Sequence, residues 1–356
     1  MRKNGDSFAR EVAAMRAAVF PSPGVCEILE RETPNASEGH VLIRVEACGL
    51  CGTDLHIFRG QFPASFPLTA GHEFAGVVEE AGPGVGSLRP GDRVVVDPNI
   101  QCGVCRACQR GLVHLCHALS SYGVSADGGF ATHCAVLARQ AYKVPRAMPF
   151  PVAALTEPVA CCVHGIERAQ IRPGDTVALI GAGLIGLVLL QLALLQGAAV
   201  TIVSEPSVEK RETAEKLGAS LVVDPNAEDL VSAVMRATGG AGADVVIECV
   251  GGERTAQQAV ELAGDGGRVL LFGVAPESAR IAVKPYDVYR REMTITGSFT
   301  NPFTHASALS LLAAGRVRVE EIISHHLPLD RLPEAIETLE AGRARKIIIE
   351  PQHAPE

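Results

Sequence analysis

Between Cys48 and Gly76 the chain reads C-G-L-C-G-T-D-L-H-I-F-R-G-Q-F-P-A-S-F-P-L-T-A-G-H-E-F-A-G. This run gathers a thiol (Cys51), a hydroxyl (Thr53), two imidazoles (His56 and His72) and a carboxylate (Glu73) between glycines that let the backbone turn tightly. Thiolate, imidazole and carboxylate are the donors zinc accepts, and a catalytic zinc site uses about three of them and leaves a position open. The stretch therefore reads as the heart of a zinc enzyme. The rest of the chain must then supply a further ligand, a redox partner and a pocket.

A second metal pattern follows at Cys102-G-V-Cys105-R-A-Cys108-Q-R-G-L-V-H-L-Cys116. Four thiols so closely spaced can converge as a closed tetrahedral site, the usual structural use of zinc. An iron–sulfur cluster also takes four cysteines, but zinc is favoured by the company the motif keeps. His114 and His117 read as polar loop residues. Further on, Glu157-Pro158 opens a helical stretch, where a carboxylate complements the helix dipole and Pro is tolerated in the first turn. Cys161, Cys162 and His164 lie in apolar surroundings and read as core.

From Arg172 the pattern alternates between strand and helix. Val177–Ile180 reads as a strand, Gly181-Ala-Gly183-Leu184-Ile185-Gly186 as a turn, Leu187–Gln196 as a helix and Ala199–Ser204 as a second strand. The turn has the form G-x-G-x-x-G, and Glu205 ends the second strand close to the spacing of a ribose-binding acid. The glycines let the backbone approach a pyrophosphate at the helix N-terminus, where free N–H groups favour an anion. An acid at Glu205 accepts ribose hydroxyls and repels a 2′-phosphate, so NAD is expected over NADP; Lys210 and Arg211 keep NADP open.

These residues need elements to hold them. Residues 15–100 read as short strands broken by Pro, Gly, Asn and Asp, which makes a compact, barrel-like β domain. Further strands are expected at Ala219–Val223, Asp244–Cys249, Arg268–Val274 and Thr294–Phe299, with helices at Glu209–Leu217, Leu230–Thr238 and Thr255–Leu262 between them. Two amphipathic helices, His305–Ala314 and Pro333–Ala341, precede a last strand, Lys346–Glu350, which is expected to return to the first domain. No charged residue falls between Val177 and Val203, a run longer than the roughly 20 apolar residues of a membrane span. Its glycines instead divide it into strand, turn, helix, turn and strand, as buried parallel strands require.

Composition narrows the function further. At 356 residues the chain has room for two domains. Its net charge of −8 without like-charge blocks, and its lack of Trp, argue against a nucleic-acid surface or a membrane anchor. Met1 to Arg16 mixes both charges with no long apolar core, so no signal peptide is read. The eleven cysteines are then expected reduced, in the cytoplasm. Residues 1–14 are expected to be a flexible extension.

Taken together and in order, G-L-C-G-T-D-L-H, G-H-E-F-A-G, the four-cysteine loop, E-P and G-A-G-L-I-G resemble the zinc-dependent medium-chain alcohol dehydrogenases. The resemblance runs from Met15 to about Glu350 and is nearest to the polyol (sorbitol-type), threonine and butanediol dehydrogenase branch. It implies an α/β protein with a GroES-like β-rich catalytic domain and a Rossmann domain with a doubly wound parallel sheet. The implied division is a catalytic part over 15–165, an NAD-binding part over 166–301, and a return to the catalytic domain over 302–356.

The resemblance further implies a catalytic zinc held by Cys51 and His72, with Glu73 and Glu157 as carboxylates that bind the metal or its water, and a structural zinc on Cys102, Cys105, Cys108 and Cys116. Thr53 and His56 match the family's proton relay. Gly181, Gly183, Leu184, Ile185, Gly186, Glu205 and Lys210 match cofactor contacts, as do Phe272, Gly273, Val274, Ser298, Phe299 and Thr300 near the nicotinamide. Where sorbitol dehydrogenases carry an Arg-Tyr pair that helps hold the polyol, this chain has Thr300-Asn301, which points to a different polyol, a cyclitol or a vicinal diol.

The implied reaction is NAD-linked oxidation of a secondary alcohol to a ketone. Zinc lowers the pKa of the substrate hydroxyl, Thr53 and His56 carry the proton to solvent, and hydride passes to the nicotinamide. L-Threonine and 2,3-butanediol are the alternative substrates, and a non-catalytic NAD- or zinc-binding protein on the same fold is a more distant one. The family assembles as dimers or tetramers, so a homo-oligomer, here a homotetramer, is expected, with a small-molecule alcohol as partner.

Overall fold

The computed structural model describes residues 14–353. The extension expected over residues 1–14 lies outside the described residues, except for Ala14, which opens the first strand.

The strand His40–Leu50 is the spine of the β-rich part. It pairs antiparallel with Glu73–Ala81, with His133–Leu137 and with Ile347–Glu350. Val41, Ile43 and Val45 are fully buried in one core cluster; a register shift between Val45 and Ala47 turns Ala47 into the other cluster and returns Cys48 and Leu50 to the first. Alternating β-branched residues suit a pleated surface that is packed on both sides. Ile347–Glu350 also pairs parallel with His325–Pro328, so the last strand of the described residues lies in this sheet.

The second sheet is a parallel stack of six strands, in the order Leu221–Val223, Val200–Ser204, Thr176–Ile180, Ala243–Glu248, Ala263–Leu271, Thr294–Gly297. Thr176–Ile180 stands at the centre, with one run of strands to each side. In open parallel sheets the ligand crevice forms where the strand order reverses, beyond the carboxyl ends of the strands. The apolar stretch from Val177 to Val203 resolves into this strand, the helix Leu184–Leu195 and the next strand. No helix among the described residues is long and apolar enough to cross a membrane.

One hydrophobic cluster joins the two sheets. It runs from Ala47, Ala75, Val95 and Ile348 through the helix Thr156–Ala169 to Leu187, Leu189 and Leu190 behind the parallel sheet. Each of these three leucines is wholly buried, which stabilises the packing by about 1.5–3 kcal/mol per side chain.

Several boundaries differ from the sequence reading. The glycine-turn helix begins at Leu184, not Leu187, because Gly183 itself serves as N-cap. The fifth strand starts at Ala263 and ends at Leu271, so Phe272 to Val274 lie beyond it. The sixth strand ends at Gly297, and Thr300 adopts φ of 51° in the linker that follows. The helices Phe150–Ala154 and Pro285–Arg291 and the strand His325–Pro328 carry no sequence expectation.

Asn301, which stands where the sorbitol dehydrogenases carry part of their Arg-Tyr pair, has a structural role here. Its side chain is buried, accepts from Asn99 Nδ2 at 2.6 Å and donates to His305 Nδ1 at 2.9 Å. His305 in turn stacks on Tyr142 with ring centroids 5.4 Å apart. Asn301 therefore fastens the linker to the β-rich part. A primary amide can satisfy both neighbours at once because it carries a donor and an acceptor.

Candidate active site

The helix Gly52–Phe58 begins with Cys51 as its N-cap. Asp54, wholly buried, accepts the Cys51 backbone N–H at 2.8 Å through Oδ2. Its other oxygen, Oδ1, accepts from the Gly71 backbone N–H and lies 3.3 Å from His72 Nδ1. One carboxylate thus ties together the two segments that carry Cys51 and His72. Gly71 sits at φ of +90°, and a Cβ there would come within 2.8 Å of the Cys48 sulfur and of Phe130, so only glycine fits this turn.

The result is convergence. Donor atoms of Cys51, His72 and Glu73 all lie within 4.8 Å of one another. A thiol, an imidazole and a carboxylate so placed suit zinc, and a carboxylate behind the imidazole is the arrangement that orients a ligating histidine. Burial alone would lower the His72 pKa. Asp54, together with hydrogen bonding to Cys51, reverses this and raises it well above the ordinary value.

Glu157 stands in the first turn of the helix Thr156–Ala169, buried against this cluster. Burial raises its pKa to about 7, with His72 opposing the rise and Glu73 adding to it. It is not one of the three whose donor atoms converge. One helical turn on, the Cys161 thiol donates to Glu157 Oε1 at 3.4 Å. Glu73 is engaged from behind by Lys346, whose Nζ lies 2.5 Å from Oε2 and also donates to the Leu50 carbonyl at 2.9 Å. Both partners are buried. Burial alone would lower the lysine pKa, but Glu73, Cys51 and Asp54 raise it, so the ammonium stays charged.

Thr53 and His56 lie on the same short helix, both half-buried, and His56 Nδ1 meets Gln61 Oε1 at 3.2 Å. They sit one turn apart on the helix that Cys51 caps. Asp54, Lys346 and Cys161 were missed by sequence reasoning. Asp54 has a local signal, three residues after Cys51. Lys346 has none, being one more cation beside Arg343 and Arg345.

The second thiol group also converges, with donor atoms of Cys102, Cys105, Cys108 and Cys116 within 4.8 Å of one another. The loop is seated on the helix Thr156–Ala169 through His114, which meets His164 edge-to-face at 5.2 Å between centroids. Burial, His114 and Arg168 push the His164 pKa down to about 4. Such a histidine takes up its proton in the unfolded chain near pH 6.5 but in the folded chain only near 4. The unfolded state therefore binds more protons between those values, and stability falls as pH drops through this window. Thermal melts of zinc-replete protein should show His164→Gln losing less Tm than the parent between pH 7 and pH 5. Parallel losses would mean that the pair does not titrate.

The nucleotide side is built at the end of the strand Thr176–Ile180. Gly181 has φ of +100°, and a Cβ at Gly186 would lie 2.0 Å from the Gly181 carbonyl oxygen, whereas Gly183 faces open space. The three glycines thus separate into turn, helix contact and room for a ligand, as a pyrophosphate cradle needs. Leu184 packs into the core, Ile185 is half-buried, and the Cys162 thiol donates to the Ile185 carbonyl at 3.8 Å. Glu205 is buried and accepts backbone N–H groups from Ala182 at 2.8 Å and Ser207 at 3.0 Å. Phe272 lies against Gly165, Gly273 packs against Gly251, and Val274 and Phe299 are exposed. Ser298 keeps a buried hydroxyl without a hydrogen-bond partner among the described residues.

The fold and the two thiol-bearing sites define a class, and comparison with known proteins agrees. Residues 37–146 match the alcohol dehydrogenase GroES-like domain, and residues 185–314 match the zinc-binding dehydrogenase domain. The chain belongs to the zinc-dependent medium-chain alcohol dehydrogenase family, oxidoreductases that act on CH–OH donors. It is 36% identical to an L-threonine 3-dehydrogenase of Pyrococcus horikoshii, over 94% of this chain and 98% of that one. It is 32% identical to D-arabinitol dehydrogenase 1 of Uromyces fabae, over 95% and 98% of the two chains. Among solved structures, a zinc-binding dehydrogenase from Sinorhizobium meliloti 1021 bound to NADP is 41% identical, with a TM-score of 0.93 over 95% of this chain and 100% of that one.

Proposed function

We propose that the chain is a zinc-dependent, NAD-linked dehydrogenase that oxidises a secondary alcohol of a polyol or cyclitol to the ketone. One observation carries the reading. The helix Thr156–Ala169 presents Glu157 to the Cys51–His72–Glu73 cluster at its start and Cys162 to the nucleotide turn at Ile185. A metal site and a dinucleotide site are thus braced by one rigid element, as hydride transfer between two bound partners demands.

Cys51, His72 and the carboxylates Glu73 and Glu157 would hold the catalytic zinc, and Cys102, Cys105, Cys108 and Cys116 the structural one. When bound, zinc supplies Lewis acidity that makes a substrate hydroxyl easier to deprotonate. Thr53 takes the hydroxyl proton and His56 passes it to solvent, its imidazole held by Gln61. An imidazole suits the task because its ordinary pKa lies near neutrality. His56→Ala is expected to cost about tenfold to a hundredfold in turnover and to change the pH profile. An unaltered profile would remove His56 from the relay.

Glu205, Lys210, the glycine turn, the Phe272–Val274 stretch and the Ser298–Thr300 stretch would hold the dinucleotide. The acid at Glu205 supports NAD as the first cofactor. All eleven cysteines are free thiols, which fits a reducing cytoplasm, and a dimer or tetramer completes the proposal. The relatives named for D-arabinitol and for L-threonine make threonine or a vicinal diol the second reading.

The deciding experiment follows nicotinamide absorbance on zinc-replete protein with polyols, cyclitols, 2,3-butanediol and L-threonine. Turnover of one polyhydroxylated substrate supports the first reading. Turnover confined to threonine or butanediol selects the second, and silence across the panel with metal and dinucleotide bound counts against both.

A further inference from the structure

Glu157 is a buried carboxylate that accepts a single hydrogen bond among the described residues, from the Cys161 thiol to Oε1 at 3.4 Å. A carboxylate has room for several donors, and burial without them is costly. The local sequence withholds the ordinary ones. A Glu in the first turn of a helix can accept from the backbone N–H groups left free there. Pro158 follows, however, and has no N–H. The Val159 N–H is bonded to the Leu155 carbonyl at 3.2 Å, and the Thr156 hydroxyl turns away to the Ala153 carbonyl at 2.7 Å.

What remains is the residue one turn on. Positions i and i+4 of a helix share a face, so the half-buried Cys161 lies beside Glu157. Cys161 is not one of the three residues whose donor atoms converge; it reaches the site through the carboxylate. The neighbouring thiol acts on the other side. Successive helical residues point about 100° apart, and Cys162 donates to the Ile185 carbonyl in the nucleotide turn at 3.8 Å. Two adjacent thiols thus serve the two halves of the cleft.

We propose that Cys161 is a positioning residue for the alcohol oxidation: its S–H holds Oε1 of Glu157 and leaves Oε2 as the one oxygen offered to the catalytic zinc, its water or the substrate hydroxyl. The inference rests on the zinc reading above and deepens it by giving Glu157 a fixed orientation. A thiol is a weak donor. It therefore sets the direction of the carboxylate while leaving it the charge that a metal or a hydroxyl needs. A hydrogen bond behind a ligating group is how such groups are aimed, and here a cysteine supplies it.

The test compares zinc-replete full chains: the parent, Cys161→Ala, Glu157→Ala and their double variant, with Cys161→Ser as the rescue. Competition with a chromophoric chelator reads the affinity of the catalytic zinc, which an open donor set releases before a closed four-thiolate one does. The kcat/KM for the best alcohol of the panel above is read beside it. Cys161→Ala should weaken zinc binding and lower kcat/KM by about tenfold each, while KM for the dinucleotide moves by less than about twofold. Cys161→Ser keeps a donor and should stay within about threefold of the parent. In the Glu157→Ala background the Cys161→Ala change should have less than about a twofold effect, because no carboxylate is left to orient. Equal losses in both backgrounds would make Cys161 a ligand or a packing residue in its own right and overturn the proposal. A Cys161→Ala protein with unchanged zinc affinity, or a serine variant as impaired as the alanine one, would overturn it as well. A parent that holds zinc on the four-cysteine loop alone would overturn the catalytic-zinc reading itself, and this proposal with it. A Tm on each variant, expected close to the parent's, separates these losses from unfolding.

Discussion

Cys51→Ser and His72→Ala should each lower kcat/KM for alcohol oxidation by roughly a thousandfold or more, while dinucleotide binding persists. The two residues supply two of the three donors that converge within 4.8 Å, and they stand on segments held together by strand pairing at Gly49–Glu73 and by the Asp54 carboxylate. Removing either leaves too few donors for a tight site, and the several kcal/mol of charge stabilisation that a Lewis acid provides go with the metal. The glycine turn and Glu205 belong to the parallel sheet and these donors to the β-rich sheet, so nicotinamide fluorescence should still report binding. Metal content measured alongside activity makes the result diagnostic. Near-normal turnover with catalytic metal absent would remove zinc from the reaction, whereas loss of both activity and nucleotide binding would mean that the variant had unfolded.

The contrast with His56 gives the prediction its edge. Water can stand in for a proton relay, but it cannot replace a thiolate or an imidazole as ligand. The two classes of variant should therefore separate by about a factor of ten or more in rate.

How much of this site was legible before the fold was known varied with the kind of constraint. The four-cysteine loop and the glycine turn were clear because local spacing alone creates them. Four thiols fall within one loop, and Gly181 and Gly186 are required by a positive φ and by a backbone contact. Glu157 was different. In isolation it reads as a carboxylate favouring the helix dipole, and only the order of the surrounding motifs gave it a chemical role. Asn301 was noticed as a substitution, but its destination was not readable, since Asn99, its partner besides the nearby His305, is reached only when the linker crosses to the β-rich part. The helix Phe150–Ala154 carries a proline at Pro151 and follows Pro149, which reads as a breaker rather than a helix start. The strand His325–Pro328 has no apolar alternation, and its pairing with Ile347–Glu350 is what makes it a strand. For Asn301 and for this strand the missing information was a partner distant in sequence.

Lys346 is the furthest extension of that point, and its replacement should give the largest loss of stability of any single charge in the protein. Lys346→Met keeps the side chain's length and apolar stem but leaves Glu73 buried at 1% exposure without its counter-charge. Breaking one side of a buried pair costs roughly 3–5 kcal/mol, because the remaining charge keeps its desolvation penalty and loses its compensation. Glu73→Gln strands the Lys346 ammonium in its turn, but that group still donates to the Leu50 carbonyl at 2.9 Å, so the loss should be smaller. The double variant should recover much of the loss, because neither charge is then stranded. Urea unfolding of the four proteins, with zinc held constant, gives the coupling directly. If the single losses simply add, the lysine is not neutralising Glu73 in solution. A large coupling would mean that the last strand of the chain carries the charge that lets a carboxylate sit beside Cys51 and His72 at all.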